Sequence, residues 1–305
     1  MDKVTIGIPQ GFFYKYHNFW KDYFETLNIS VIFSKPTDRE IVDLGIKYSN
    51  DEMCTSLKNF IGSIAYLQDK CDYILIPRID NYGKSNQMCT NFMAIYDIAT
   101  NLFKTPILNF DIDYTKRLTE EKGLIKIGLE LGKTKDECLW SYMVSNIKNN
   151  KRLKTQYINE FNKLKSPKIK ILLMGHSYNI HDNLISRPIV DFLKKNNCEV
   201  IYSDNFPSDK TLKLSSNICK YLYWINNKES VGALELCKNK IDGVIMLSSF
   251  PCGPDSIVNE LVIRNIELPI INLVIDDVNS FTGIETRIES FLDIINNKVI
   301  QWKRK

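Results

Sequence analysis

Short apolar runs alternate along the chain with helix-length stretches of mixed polarity. Residues 4–8 form the first run and end at Pro9-Gln10-Gly11; residues 169–174 form a run of the same kind and end at Gly175-His176-Ser177. After the first comes a stretch carrying Phe19, Trp20, Phe24 and Leu27, then an apolar run at 29–33. After the second, residues 188–195 lead to another run at 198–202. Each half therefore reads strand, helix, strand. Each half also offers a later run, 73–77 followed by Arg78 and 244–247 followed by Ser248, entered through the similar turns Cys71-Asp72 and Ile241-Asp242. The plan is repeated.

Runs that are β-branched and apolar without strict alternation fit parallel strands covered on both faces by helices, so an α/β, doubly wound fold is expected for each half. Helix starts are expected where Thr37 precedes Glu40, Ser49 precedes Glu52 and Thr134 precedes Glu137, since that spacing lets a hydroxyl and a carboxylate satisfy free backbone donors. The expected organisation is an N-terminal α/β domain over 1–115, a helical connector over 116–165 and a C-terminal α/β domain over 166–305. In the connector, Leu139, Trp140, Met143 and Ile147 recur at helical spacing, which predicts an apolar face packed across the halves.

A chain of 305 residues is long enough for two ordinary domains. Forty Lys and Arg against 36 Asp and Glu leave a net charge of only +4, with no basic run beyond Lys151-Arg152 and the terminal Lys303-Arg304-Lys305. Nucleic acid and anionic membrane are not expected partners. No apolar stretch reaches a membrane-spanning length, and the opening residues lack a signal-peptide plan, so a cytoplasmic location is expected. The glycines of a dinucleotide fingerprint and of a phosphate loop are missing, as are HExxH and GxSxG.

The eight cysteines include no CxxC pair, which disfavours a secreted disulfide framework and leaves reduced thiols or metal ligands. Cys54 follows Ser49-Asn50-Asp51-Glu52, Cys89 lies in a polar loop beyond Arg78, and Cys252 sits in Ser248-Ser249-Phe250-Pro251-Cys252-Gly253-Pro254-Asp255 directly beyond a buried run. Ligands of open α/β sheets lie outside the carboxyl ends of the strands, so these three thiols can approach one crevice and hold iron. Their spacing matches no compact ferredoxin pattern, and the alternative, three ordinary small core residues, stays open. Cys71, Cys138, Cys198, Cys219 and Cys237 fall within or beside predicted elements and read as structural. Among the three histidines, His176 is the candidate for proton handling because its loop belongs at a strand's carboxyl end, whereas His17 and His181 read as packing residues. Arg78 is placed to bind a carboxylate or phosphate, with Asp255 and Glu285 as its anchors or as helix caps, and Glu52 is either a cap or an acceptor near substrate.

Gly7-Ile8-Pro9-Gln10, Tyr16-His17-Asn18-Phe19-Trp20, Ser34-Lys35-Pro36-Thr37, Asp51-Glu52-Met53-Cys54, Ile76-Pro77-Arg78, His176-Ser177-Tyr178-Asn179-Ile180 and the Cys252 loop together resemble the 2-hydroxyacyl-CoA dehydratase-related proteins. Within that group they look like the domain associated with the ATP-dependent acyl-CoA dehydratase activators. The resemblance implies two flavodoxin-like domains holding a [4Fe-4S] cluster through Cys54, Cys89 and Cys252. The cluster would serve low-potential electron transfer or reductive chemistry on a small or acyl-CoA substrate, and His176, Glu52 and Arg78 are its candidate catalytic residues. If the chain is an enzyme, the class implied is an iron-sulfur reductase or a dehydratase-like lyase. The implied partners are a separate ATP-dependent activator or reductase and, as one option, a second copy in a homodimer. Two other readings remain: a noncatalytic electron-transfer or cluster-delivery accessory, and a metal-free small-molecule-binding protein. Cys89 is followed by Thr90 where the family usually has proline, and Pro9 by Gln10 where it has arginine.

Overall fold

The structure, a computed structural model, describes residues 3–276 and 282–303, without the side chains of 282 and 298–303; Arg304 and Lys305 of the terminal basic run lie outside the described residues. The chain divides into two units, residues 1–154 with Tyr223–Ile225, and residues 155–222 with 226–305. In chain order the elements are β1 (Thr5–Ile8), α1 (His17–Thr26), β2 (Ser30–Phe33), α2 (Arg39–Tyr48), α3 (Thr55–Leu67), β3 (Tyr73–Leu75), β4 (Arg78–Asn81), α4 (Asn91–Leu102), β5 (Ile107–Leu108), β6 (Asp111–Asp113), α5 (Glu120–Glu130) and α6 (Lys135–Lys163). They continue with β7 (Ile169–Gly175), α7 (Ser177–Ile180), α8 (Arg187–Lys195), β8 (Cys198–Tyr202), α9 (Ser208–Leu214), α10 (Ile225–Cys237), β9 (Gly243–Ser249), α11 (Gly253–Asn265), β10 (Ile270–Ile275) and α12 (Thr282–Lys303). No described helix is long and apolar enough to cross a membrane.

The first unit's main sheet has the order β2-β1-β3-β5 and the second unit's has β8-β7-β9-β10, with every pairing parallel. Counted within each unit, both read 2-1-3-4, the flavodoxin-like order, whose crevice opens where the connections diverge beyond strands 1 and 3. The α/β fold expected from the apolar runs is the one observed. The same turn chemistry builds both sheets. Asp72 accepts from the backbone N–H of Thr5 at 2.7 Å and donates its own N–H to Thr5 O at 3.0 Å; Asp242 does the same with Lys170, at 2.8 Å in both directions. In each unit this reciprocal pair sets the start of the third strand against that of the first. Asn28 after α1 and Asn197 after α8 both take φ of 58°, the left-handed conformation that asparagine tolerates when it ends a helix.

The strands are buried on both faces in the second unit. Ile171, Leu173, Ile245, Leu247 and Leu273 pack with Ile189, Leu193, Ile288, Phe291 and Ile295 of α8 and α12, and Leu172, Met174, Val244 and Met246 of the opposite parity are buried too. Gly175 lets the end of β7 lie close to its neighbour, since a Cβ there would stand 2.4 Å from Leu247 O.

Three local expectations are corrected. Asp38, not Thr37, caps α2, accepting from Ile41 N at 3.0 Å. Ser49 closes α2 instead of opening the next helix, and α3 starts only after Cys54, so Glu52 sits exposed in the intervening turn. Leu139, Trp140, Met143 and Ile147 are all exposed, Trp140 at 60% and Ile147 at 63%. In the part of α6 that belongs to the first unit the buried residues are instead small, Cys138, Ser141 and Ser145. Ser141 Oγ donates to Tyr23 O at 2.5 Å, and a Cβ on Gly128 would lie 2.4 Å from Cys138 Sγ. Close helix approach, which only small side chains permit, decides the packed face there. At Thr134 the expected capping box forms: its N–H and hydroxyl both reach Glu137 Oε2, and its Oγ1 accepts from Glu137 N at 3.3 Å.

Candidate metal centre

The cysteines sort by environment. Burial pushes the thiols of Cys71, Cys198 and Cys219 up to about 11 and that of Cys237 to about 12, so they remain protonated near neutral pH. Cys71, Cys198 and Cys237 also donate to carbonyls of Leu67, Asn196 and Ala233, and Cys138 is fully buried. Cys54, Cys89 and Cys252 are partly open, as Cys71 is, but unlike Cys71 they stand at helix starts. Cys54 is the N-cap of α3, its carbonyl accepting from Leu57 N and Lys58 N at 2.8 and 3.0 Å. Cys89 precedes α4 and accepts from Phe92 N at 3.0 Å; Asn91, the first residue of α4, places Nδ2 3.8 Å from Cys54 Sγ. Cys252 is the N-cap of α11.

In the second unit the diverging strand ends bring further groups to Cys252. His176 follows β7 and Cys252 follows the adjacent β9, so parallel pairing alone puts their loops side by side. Asp255, in the first turn of α11, stands 2.8 Å from His176 Nε2 and accepts from Asn227 Nδ2 at 2.7 Å, both at Oδ1. His176 is 6% exposed and Asp255 3%. Its ring stacks on Tyr178 with centroids 5.0 Å apart. Burial acts to raise the Asp255 carboxyl, but the His176 charge and hydrogen bonds from His176, Asn227 and Cys252 outweigh it and hold the group below the ordinary carboxylate range. Asp255 Oδ2 and His176 Nδ1 are buried with no hydrogen-bond partner. Donor atoms of His176, Cys252 and Asp255 all lie within 4.8 Å of one another.

The other candidates are placed differently. Arg78 opens β4 and pairs with Asp97, its guanidinium lying 4.4 Å over the Tyr96 ring. Asp255 serves His176 and Asn227. Asn227 was not singled out from sequence; it is one amide in a polar stretch and no motif marks it. His181 bonds Asp204 at 3.0 Å and stacks on Tyr202.

His17 is buried between Tyr14 and Phe33, and burial lowers its pKa to about 4, partly opposed by a hydrogen bond to the Pro9 backbone. A histidine kept neutral in the fold costs stability as acid charges it in the unfolded chain. Below pH 6.5 the unfolded state binds the extra proton, so stability falls with pH down to about 4, by about 3 kcal/mol. Glu120 works the other way. Burial raises it to about 7 against the hydrogen bond from Trp20, so its contribution is present below 4.5 and is lost as pH rises towards 7; its part-open side chain makes this effect the smaller. His17→Gln is expected to gain about 3 kcal/mol relative to the parent at pH 4 compared with pH 7, read by urea unfolding with tryptophan fluorescence. A pH-independent difference would show that His17 is not held neutral.

Residues 5–206 match the family described as CoA enzyme activase uncharacterised domain (DUF2229). No curated protein matches the chain. Among solved structures, ZnuA is 11% identical with a TM-score of 0.30, covering 97% of this chain and 99% of that one. A Zn(II)-bound AdcAII variant of Streptococcus pneumoniae is 12% identical with a TM-score of 0.29, covering 96% and 98%. An FpvC mutant of Pseudomonas aeruginosa is 11% identical with a TM-score of 0.28, covering 96% and 98%. Superpositions this loose carry no functional inference.

Proposed function

This chain belongs to the CoA enzyme activase uncharacterised-domain family, and on that premise we propose that it is a [4Fe-4S] protein working beside an acyl-CoA enzyme of the 2-hydroxyacyl-CoA dehydratase type. Its proposed task is to carry low-potential electrons or to support a reductive step on a small or acyl-CoA substrate, with an ATP-dependent activator or reductase as electron source. One observation carries the reading. Of eight cysteines, Cys54, Cys89 and Cys252 are partly open and set at helix starts, Cys252 directly beyond β9, while Cys71, partly open too, is bonded back to Leu67 O and the other four are buried.

The donor set fits such a group. Soft thiolates suit iron-sulfur ligation, and the N–H groups of three helix starts offset the negative charge that thiolates and sulfide bring. When bound, the cluster supplies one-electron chemistry at low potential. The chain's own contribution is to present the thiols, exclude water and orient what approaches them. Asn91 Nδ2 beside Cys54 Sγ would place a weak donor on a ligand sulfur, which raises a cluster's potential, whereas the Asp255 carboxylate near Cys252 would lower it.

Anaerobic purification should give about four irons and four acid-labile sulfides per chain. Cys54→Ser, Cys89→Ser and Cys252→Ser should each lose the EPR signal of the reduced protein. No iron or sulfide after anaerobic reconstitution would overturn the cluster reading and favour a metal-free small-molecule-binding protein.

A further inference from the structure

We propose that the second unit can hold a single divalent first-row transition-metal ion through Cys252 Sγ, a ring nitrogen of His176 and a carboxylate oxygen of Asp255. The site goes beyond the cluster reading and shares only Cys252 with it, so the ion is held when no cluster occupies that thiol.

The spacing is the first argument. Donors around one four-coordinate ion with bonds of roughly 2.0–2.3 Å stand about 3.3–3.6 Å apart. The three donors here lie within 4.8 Å of one another, so side-chain rotation has to close a gap of about 1 Å at most to reach that range. They also come from rigid places: the end of β7, the N-cap of α11 and the first turn of that helix. The fold therefore prepays most of the ordering.

Unsatisfied atoms are the second argument. A buried carboxylate oxygen and a buried ring nitrogen without partners each cost stability unless something fills the gap. Asp255 Oδ2 and His176 Nδ1 are two such atoms in one cluster, and both residues are more than nine-tenths buried. A cation bound between the thiol and the carboxylate would satisfy the acceptor that the fold leaves open. Asn227 Nδ2 on Asp255 Oδ1 then acts as the outer group that fixes the carboxylate's orientation.

The donor types select the metal class. One soft sulfur, one borderline nitrogen and one hard oxygen suit Zn2+, Fe2+ or Co2+ and not Mg2+ or Ca2+, which take oxygen alone. Three protein ligands leave a fourth position for water, the arrangement of an open site and not a sealed structural one. Binding requires the Cys252 thiol to ionise, so a proton is released to solvent as the metal–sulfur bond forms.

The test uses the full-length chain, freed of iron by chelator under reducing conditions and titrated with Co2+, whose thiolate-to-cobalt charge-transfer band reports a sulfur ligand. One equivalent should bind with that band and raise the melting temperature. Cys252→Ser should abolish the band, and His176→Gln and Asp255→Asn should each weaken binding by about 10–100-fold. Circular dichroism establishes that each variant is folded. Cys54→Ser and Cys89→Ser should bind Co2+ as the parent does while failing to take up iron and sulfide on reconstitution. Loss of the cobalt band in those two variants, or Co2+ bound by the parent without a thiolate band or not bound at all, would overturn the mononuclear site. Cobalt binding by a chain that takes up no iron and sulfide would support the site and reject the cluster.

Discussion

Gly62→Ala is expected to destabilise the first unit by about 3 kcal/mol or more, although alanine is the better helix former by about 1 kcal/mol. The steric term wins because the groups in the way are backbone. A Cβ at Gly62 would stand 2.0 Å from Ile41 O and 2.8 Å from Gly45 N, and one at Gly45 would stand 2.2 Å from Lys58 O. The two glycines mark the point where α2 and α3 cross, and a carbonyl in a helix cannot step aside as a flexible side chain can. The expected result is a lower urea midpoint followed by the fluorescence of the first unit's tryptophans. Because α3 carries Cys54 as its N-cap, a shifted helix should also lower iron content after reconstitution. An alanine variant as stable as the parent would mean that the helices do not approach this closely.

Glu160→Leu should cost the second unit about 3 kcal/mol, the lower part of the range for breaking a buried charge network. Glu160 is 2% exposed and collects three donors: Lys163 Nζ at 2.9 Å and Asn205 Nδ2 at 3.0 Å on Oε1, and Tyr202 N at 3.1 Å on Oε2. Leucine fills the space but leaves the N–H at the end of β8 and the Asn205 amide unpaired. Lys163 is partly exposed and can return to water, which keeps the cost from the top of the range. Glu160→Gln retains most of the geometry and should lose about 1–2 kcal/mol. Thermal melts followed by circular dichroism would rank the parent above Gln and Gln above Leu. Equal stability of all three would show that the network only fills space.

The role of α6 illustrates where sequence patterning misleads. The residues with the strongest apolar signal, Trp140 and Ile147, face solvent, while Cys138, Ser141 and Ser145 face the rest of the first unit. Hydrophobic periodicity weighs transfer free energy and ignores the interhelical distance, which favours small side chains when Gly128 and Tyr23 press against the helix. Ser49 is a similar case. A hydroxyl three residues before a glutamate satisfies free donors only if a helix begins there, and here the chain leaves α2 at Ser49 and enters α3 five residues later.

What the sequence determined by itself is the doubled α/β plan. The strands are short uninterrupted apolar runs, and Asp72 and Asp242 stand at matching turns just before two of them, although the bonds they make to the first strand's backbone span 67 and 72 residues. The loop placement of Cys54, Cys89 and Cys252, three of the four partly open cysteines, was also legible, since a thiol among polar, Gly and Pro neighbours is not committed to a core. The pairing of His176 with Asp255 and Asn227, and of Arg78 with Asp97, was decided only by the tertiary structure. The residues of the first cluster are brought together by the lateral order of β7 and β9 and by the start of α10, contacts that span 28 to 79 residues of chain. Local propensity carries no record of such distances. Strand order, which depends on how whole faces are buried, is what places those side chains within bonding reach.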